Sequence, residues 1–170
     1  VAAVFVGVVP REAAYIPITV NPGIAYGLAV MDLEIPAVTY TIESIGKKPF
    51  GVVPHPSLDY LYVACHESTT VEKIDVFTGE RLAVINVVGR PRDIAITPDG
   101  STVYVSLINN DSIEDLAVID TASDTLITTI SVPNDAKAVD VSPDGSRLYV
   151  SSTKSSSISS DGVISIVDTS

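Results

Sequence analysis

One unit recurs along this 170-residue chain, and its period constrains the fold more than any other feature. Pro56, Pro98 and Pro143 correspond at spacings of 42 and 45, and Tyr62, Tyr104 and Tyr149 correspond at the same spacings. Asp75, Asp120 and Asp168 follow at 45 and 48. In the unit that begins at Pro91, short apolar runs cover Asp93–Thr97, Thr102–Leu107, Leu116–Asp120 and Thr125–Val132. A tight turn, Pro98-Asp99-Gly100-Ser101, separates the first two runs. Proline presets φ in such a turn, and glycine takes the positive φ that follows. Such a unit cannot bury both of its faces alone, so neighbouring copies must stack.

The runs are rich in Val, Ile and Leu, are four to eight residues long, and lack helical periodicity, as expected of strands buried on both faces. Four strands per repeat at a period in the forties predicts an all-β chain. Its architecture is a β-propeller of four-stranded antiparallel blades, about four in number. The reading is one domain, 1–170, with blade 1 at 10–45, blade 2 at 46–88, blade 3 at 89–132 and blade 4 at 133–170. Blade 1 is degenerate, with Asn21-Pro22-Gly23 standing where the Pro-Asp-Gly turn is expected. The last repeat stops after its third run, while Val4–Arg11 resembles Ala83–Arg92. Residues 1–9 are therefore expected to complete blade 4 and protect its edge. Closure as a four-bladed ring, an eight-bladed ring of two chains exchanging end strands, and a stretch of a longer propeller all fit this pattern.

The stretches Leu61-Tyr62-Val63-Ala64, Val103-Tyr104-Val105-Ser106 and Leu148-Tyr149-Val150-Ser151, with the preceding Pro-Asp-Gly and the following Val-Ile-Asp-Thr (118–121) and Ile-Val-Asp-Thr (166–169), resemble YVTN-type β-propeller repeats. The fourth letter departs from that family's Asn in all three copies. The resemblance implies a repeat protein of the surface-layer kind, extracellular or at the cell surface. Related propellers are sugar-acid lactonases or carry redox cofactors, and Pro54-His55-Pro56-Ser57 before Leu61–Ala64 is similar to a lactonase-like repeat.

Charge narrows the partners. The formal net charge is −11, so phosphate-rich partners are repelled, and neither nucleic-acid binding nor membrane insertion is expected. The apolar segment 1–9 is too short to span a bilayer and has no basic flank, which fits a mature or excised chain. The single cysteine, Cys65, is expected to be a small buried hydrophobe. The lone sequon, Asn110-Asp111-Ser112, matters only in an exported protein.

Catalytic motifs are missing: there is no Gly-x-Ser-x-Gly, P-loop or Gly-x-Gly-x-x-Gly. His66-Glu67-Ser68-Thr69-Thr70 lacks the second His of a zinc helix. His55 and His66 read as structural, and the recurring aspartates read as turn formers. No catalytic, cofactor or metal residue is therefore assigned. The cations follow a pattern, however. Arg11, Lys47, Lys48, Arg90, Arg92 and Lys137 all fall in links between a fourth run and the next first run. First strands are innermost in a propeller, so these six are expected to form a collar at one channel mouth, able to hold a small anion or a protein partner. The function expected from the sequence is a non-enzymatic structural or binding propeller, with a lactonase-like enzyme or a self-assembling subunit as alternatives. Homo-oligomers through the terminal strands are also possible on this reading.

Overall fold

The computed structural model describes residues 13–21, 25–33, 37–108, 114–132, 135–155 and 160–169. These contain fourteen strands and no helix. The first sheet is β1 (Ala13–Asn21), β2 (Ala25–Asp32) and β3 (Ala37–Glu43). The second is β4 (Pro49–Pro54), β5 (Tyr60–Cys65), β6 (Thr70–Asp75) and β7 (Arg81–Asn86). The third is β8 (Arg90–Ile96), β9 (Thr102–Ile108), β10 (Glu114–Asp120) and β11 (Thr125–Val132). The fourth is β12 (Asp135–Val141), β13 (Arg147–Ser155) and β14 (Ser160–Asp168). Every sheet is an antiparallel meander in chain order. The chain is all-β, and its sheets are propeller blades.

Successive blades stack through three cores. Leu28, Val30, Ile42 and Ile45 pack on Leu61, Val63, Cys65, Ile74 and Val76 between blades 1 and 2. Tyr62, Ala64, Val71 and Ile85 meet Ile94, Val103, Val105 and Ile119 between blades 2 and 3. Ala95, Tyr104, Leu116 and Val118 meet Val139, Leu148 and Val150 between blades 3 and 4. Alternate residues of each middle strand point to opposite faces, so Leu61 and Val63 serve one core and Tyr62 and Ala64 the next. This explains the near-continuous apolar runs.

The register also fixes which strands blade 1 contains. Tyr15 pairs with Val30 as Tyr62 pairs with Lys73, so β1, β2 and β3 are the second, third and fourth strands of the repeat. Asn21-Pro22-Gly23 thus falls between second and third strands, not in the Pro-Asp-Gly position expected from the sequence. The stretch preceding β1, where the repeat has its first strand, lies outside the described residues. So do Arg11, Asn110 and the 1–9 strand expected to complete blade 4.

The Pro-Asp-Gly turns hold themselves closed. Asp99 Oδ1 accepts hydrogen bonds from Thr97 Oγ1 (2.6 Å), Ser101 N (3.0 Å) and Ser101 Oγ (2.9 Å). Asp144 accepts the equivalent bonds from Ser142 and Ser146. Gly100 and Gly145 take φ of 77° and 75°. Blade 2 has His55-Pro56-Ser57-Leu58 here, and Leu58 is forced to φ 62°. Thr121 and Thr169, the last residues of the Val-Ile-Asp-Thr and Ile-Val-Asp-Thr stretches, donate to the carbonyls of Gly100 and Gly145, both at 2.6 Å.

Candidate functional site at the link face

The two ends of the blades differ chemically. At one end lie the turns joining first to second and third to fourth strands. Their carboxylates are spent on their own backbone: Asp75 accepts from Phe77 N (2.8 Å) and Thr78 N (2.7 Å), and Asp120 from Ser123 N (2.7 Å). Hydrogen bonds from neighbouring hydroxyls and amides hold the Asp99 and Asp144 carboxyls down to about 2, against 3.8 ordinarily. A hollow of about 320 Å³ between blades 3 and 4 at this end is lined by Asp99, Tyr104, Asp144 and Thr169.

At the opposite end lie the links between blades, and each link leads into a β-bulge. Opposite β5 the pairing skips from Pro49 to Gly51, leaving Phe50 as the extra residue. Opposite β9 it skips from Pro91 to Ile94, leaving one extra residue at Arg92-Asp93. Opposite β13 it skips from Ala136 to Ala138, leaving Lys137. A bulge re-aims side chains and is over-represented beside functional sites. The three bulges fall at one equivalent position on β4, β8 and β12, the first strands of their blades. Ser106, buried on β9, accepts Asp93 N–H through its Oγ at 3.0 Å. Asp93 in turn accepts Val139 N–H from the next blade through Oδ2 at 2.9 Å.

Of the expected collar, Arg92 and Lys137 are half-buried at the bulges, while Lys47, Lys48 and Arg90 are exposed on the links. Lys48 is partnered by Glu67 at 3.3 Å, with both side chains about half exposed. An exposed pair of this kind contributes little to stability. Phe50 takes the equivalent position in blade 2, where an aromatic ring stands in place of a cation.

His66, read from the sequence as structural, lies at this end. The loop after β5 is tied to the preceding link: His66 N donates to Lys48 O (3.0 Å), Glu67 N to Lys47 O (3.1 Å), and Lys47 N to Ser68 Oγ (2.7 Å). Lys48 and Thr69 hold left-handed φ of 55° and 54° there. For non-glycine residues such strain costs on the order of 1–3 kcal/mol and persists where the surroundings over-determine it. The ring of His66 stands edge-on to Phe50, with centroids 5.0 Å apart. Its Nδ1 lies 3.1 Å from Pro91 O, on the first strand of the next blade. A carbonyl only accepts, so Nδ1 carries the proton and the neutral ring keeps its lone pair on Nε2. No hydrogen bond engages Nε2 among the described residues. Burial lowers the pKa of His66 from 6.5; the Pro91 hydrogen bond opposes this, and the Lys48 and Arg90 charges add to it.

Other candidates are accounted for. Cys65 is fully buried, and burial and the Glu72 charge push its thiol up to about 12, so it is inert. His55 stacks on Tyr60 at 4.3 Å and bonds Ser57 Oγ and Gly100 O, closing its turn. Among the described residues no three His, Cys, Asp or Glu side chains gather to hold a metal ion.

The chain matches the family described as lactonase, 7-bladed beta-propeller, over residues 52–163, about two thirds of its length. The chain belongs to this family. The match contains His66, the bulge at Arg92-Asp93 and Lys137. It corrects the expectation that the chain is not an enzyme, because the family named for lactonases points to hydrolase chemistry. A search among curated proteins finds no match. Among solved structures the chain is similar to Kuenenia stuttgartiensis hydrazine synthase, at 26% identity and a TM-score of 0.75 over 84% of this chain and 40% of that one. The chain thus spans less than half of that structure's length.

Proposed function

We propose that the chain carries the catalytic face of a lactone hydrolase, with His66 as general base and the collar cations as the anion-holding part of the site. Family membership supports the reaction class. The observation that carries the assignment of the base is the His66 ring, fixed as its Nδ1–H tautomer by Pro91 O, kept neutral by burial and neighbouring cations, and lying inside the matched segment.

In this reaction a water molecule gives one proton to His66 Nε2 as its oxygen bonds to the lactone carbonyl carbon. The carbonyl becomes an oxyanion, whose charge the cations of the link face offset. Collapse re-forms the carbonyl and breaks the ring C–O bond. The departing alkoxide takes the proton back from Nε2, giving a hydroxy acid, which ionises to a carboxylate. Arg92 and Lys137, at equivalent bulges on β8 and β12, are the residues we assign to holding the anionic end of substrate or product. A base matched to neutral pH contributes roughly 10²–10⁴-fold to such a step.

The test is ring opening of a panel of five- and six-membered lactones, followed by acid release at constant pH. We expect turnover by the natural chain and its loss in His66→Gln. Absence of turnover across the panel, or undiminished turnover in His66→Gln, overturns the proposal.

A further inference from the structure

A buried carboxylate stands behind the link face. Glu72, on β6, is 2% exposed. It pairs with Val63, which packs on blade 1, so its side chain lies between blades 1 and 2. The repeat does not ask for a charge there. At the same register blade 3 has Ala117 opposite Val105, and blade 4 has Ser165 opposite Val150. A carboxylate taken out of water must be hydrogen-bonded or paired to be tolerated. Glu72 has one partner of each kind: its Oε2 accepts Gly46 N–H at 3.0 Å, and Arg81 Nη1 donates to its Oε1 at 3.2 Å. The Arg81 side chain is about half exposed. Gly46 is confined: a Cβ there would lie 2.7 Å from Cys65 Cβ and 2.9 Å from both Cys65 Sγ and Glu72 Oε1. The link therefore runs in direct contact with the last residue of β5, next to His66.

Gly46 opens the segment that clamps the His66 loop. Next along it, Lys47 N donates to Ser68 Oγ, Lys47 O accepts Glu67 N–H, and Lys48 O accepts His66 N–H. These three bonds lie among exposed and half-buried residues, whereas the acceptor of Gly46 N–H is buried. Ser44 and Lys48, on either side of Ile45-Gly46-Lys47, hold φ of 66° and 55°. Left-handed backbone at such residues persists where the surroundings over-determine it, and the Gly46–Glu72 bond is the buried fixed point between them.

We infer that Glu72 is the positioning residue for His66. It fixes Gly46, the link that Gly46 opens clamps the loop after β5, and the clamp sets the ring where Nδ1 meets Pro91 O. The consequence for turnover rests on the reading of His66 as base. A ring released from Pro91 O loses its single tautomer, and only the Nδ1–H tautomer offers a lone pair at Nε2. Glu72 touches no substrate in this role; supporting hydrogen bonds of this kind keep a reactive side chain in its productive geometry.

The experiment is nuclear magnetic resonance of the 170-residue chain, reading the imidazole nitrogens of His66 and amide hydrogen exchange. In the natural chain we expect a single Nδ1–H tautomer and a Gly46 amide protected like those of β5. A freely exchanging Gly46 amide overturns the inference without any variant. Glu72→Leu fills the buried volume but removes the acceptor. It should mix the two tautomers and speed exchange of the His66 and Glu67 amides about tenfold, the scale of one lost hydrogen bond, with the amides of β9 unchanged. Glu72→Gln keeps an acceptor for Gly46 N–H and should return both readouts to their natural values. An unchanged His66 in Glu72→Leu, equal effects of the two substitutions, or faster exchange throughout β9 overturns the inference. These readouts contain no substrate, so absence of lactone turnover overturns the base assignment alone. Where turnover is found, Glu72→Leu should lower kcat by roughly 10²-fold, the scale of a small misplacement, at unchanged KM, and an unaltered kcat overturns the inference as well.

Discussion

The two ends of the blades are built from the same repeat yet use their polar residues in opposite ways. At the turn end the recurring carboxylates are committed to a neighbouring amide or hydroxyl: Asp75, Asp99, Asp120 and Asp144 each close the turn they stand in. At the link end the strands bulge, Ser44, Lys48 and Thr69 are held in left-handed backbone, and among the described residues no hydrogen bond engages Nε2 of His66. Repetition favours self-satisfied turns, because whatever stabilises one copy stabilises all. Chemistry needs a departure from the repeat, and the proposed base His66 is such a departure: no histidine occurs at the equivalent place in blades 3 and 4. Substitutions at the turn end should therefore change stability and spare turnover, and substitutions at the link end should do the reverse.

The largest expected effect is His66→Gln, which should lower kcat by roughly 10²–10⁴ with little change in thermal midpoint. Removing the base without breaking the fold is the sharpest test of the contrast. The pH profile checks it independently. Burial lowers the pKa of His66 from its ordinary 6.5, and the base must be unprotonated, so the acid limb of the activity profile should lie on the acid side of where a free imidazole titrates. Lys48→Met removes one of the charges that lower this pKa, so the acid limb should move upward.

Next in size is a turn-end residue that reaches between blades. Asp124 sits at φ 52° in the turn before β11. It accepts the Tyr62 hydroxyl at 2.8 Å and pairs with Lys73 Nζ at 3.0 Å, while Lys73 lies 4.1 Å from the centroid of the Tyr60 ring. Tyr62 is fully buried, so Asp124→Ala strands a buried hydroxyl and an ammonium. The expected loss is about 1–3 kcal/mol, read as a lower urea midpoint with kcat unchanged. Arg92→Gln at the link end should do the converse, raising KM about tenfold, on the order of 1.4 kcal/mol, without moving that midpoint.

Much of the fold was legible in the sequence because a propeller repeats its instructions. The spacing of the Pro-Asp-Gly turns, the Tyr-Val strands and the aspartates located blades 2 and 3 and the first three strands of blade 4. Blade 1 was less legible. Its strands lack the Tyr-Val signature, and Asn21-Pro22-Gly23 mimics a turn that belongs elsewhere in the unit. The links between blades could be read from the sequence, but not the bulges, which arise from a one-residue mismatch between paired strands rather than from any residue type. The placement of His66 could not be read from spacing, because it depends on a contact with Pro91, 25 residues away. The role of Asp124 was hidden similarly, since its partners Tyr62 and Lys73 belong to another blade.

The turns themselves supply the smallest effects. The Asp99 and Asp144 carboxyls have folded values near 2, against 3.8 ordinarily. A folded pKa below the unfolded one contributes stability that is present above 3.8 and disappears as pH falls towards 2. Asp99→Asn with Asp144→Asn should therefore flatten acid unfolding within that window and leave stability at pH 7 as the only difference elsewhere. The finest comparison sets blade 2 against blade 3 at one turn position. Gly100 is confined there, because a Cβ would collide with His55 Nε2, and its φ of 77° suits glycine. Leu58 adopts φ 62° in the same place while 53% exposed. Left-handed backbone costs an L-residue roughly 1–2 kcal/mol, whereas glycine adds roughly 0.5–1 kcal/mol of unfolded-state entropy. Leu58→Gly should accordingly stabilise the protein by about 0.5 kcal/mol and Gly100→Ala should destabilise it, both measured by urea unfolding. Equal and opposite shifts are not required, but a loss of stability in Leu58→Gly would mean that the leucine side chain contributes packing that outweighs the strain of its backbone.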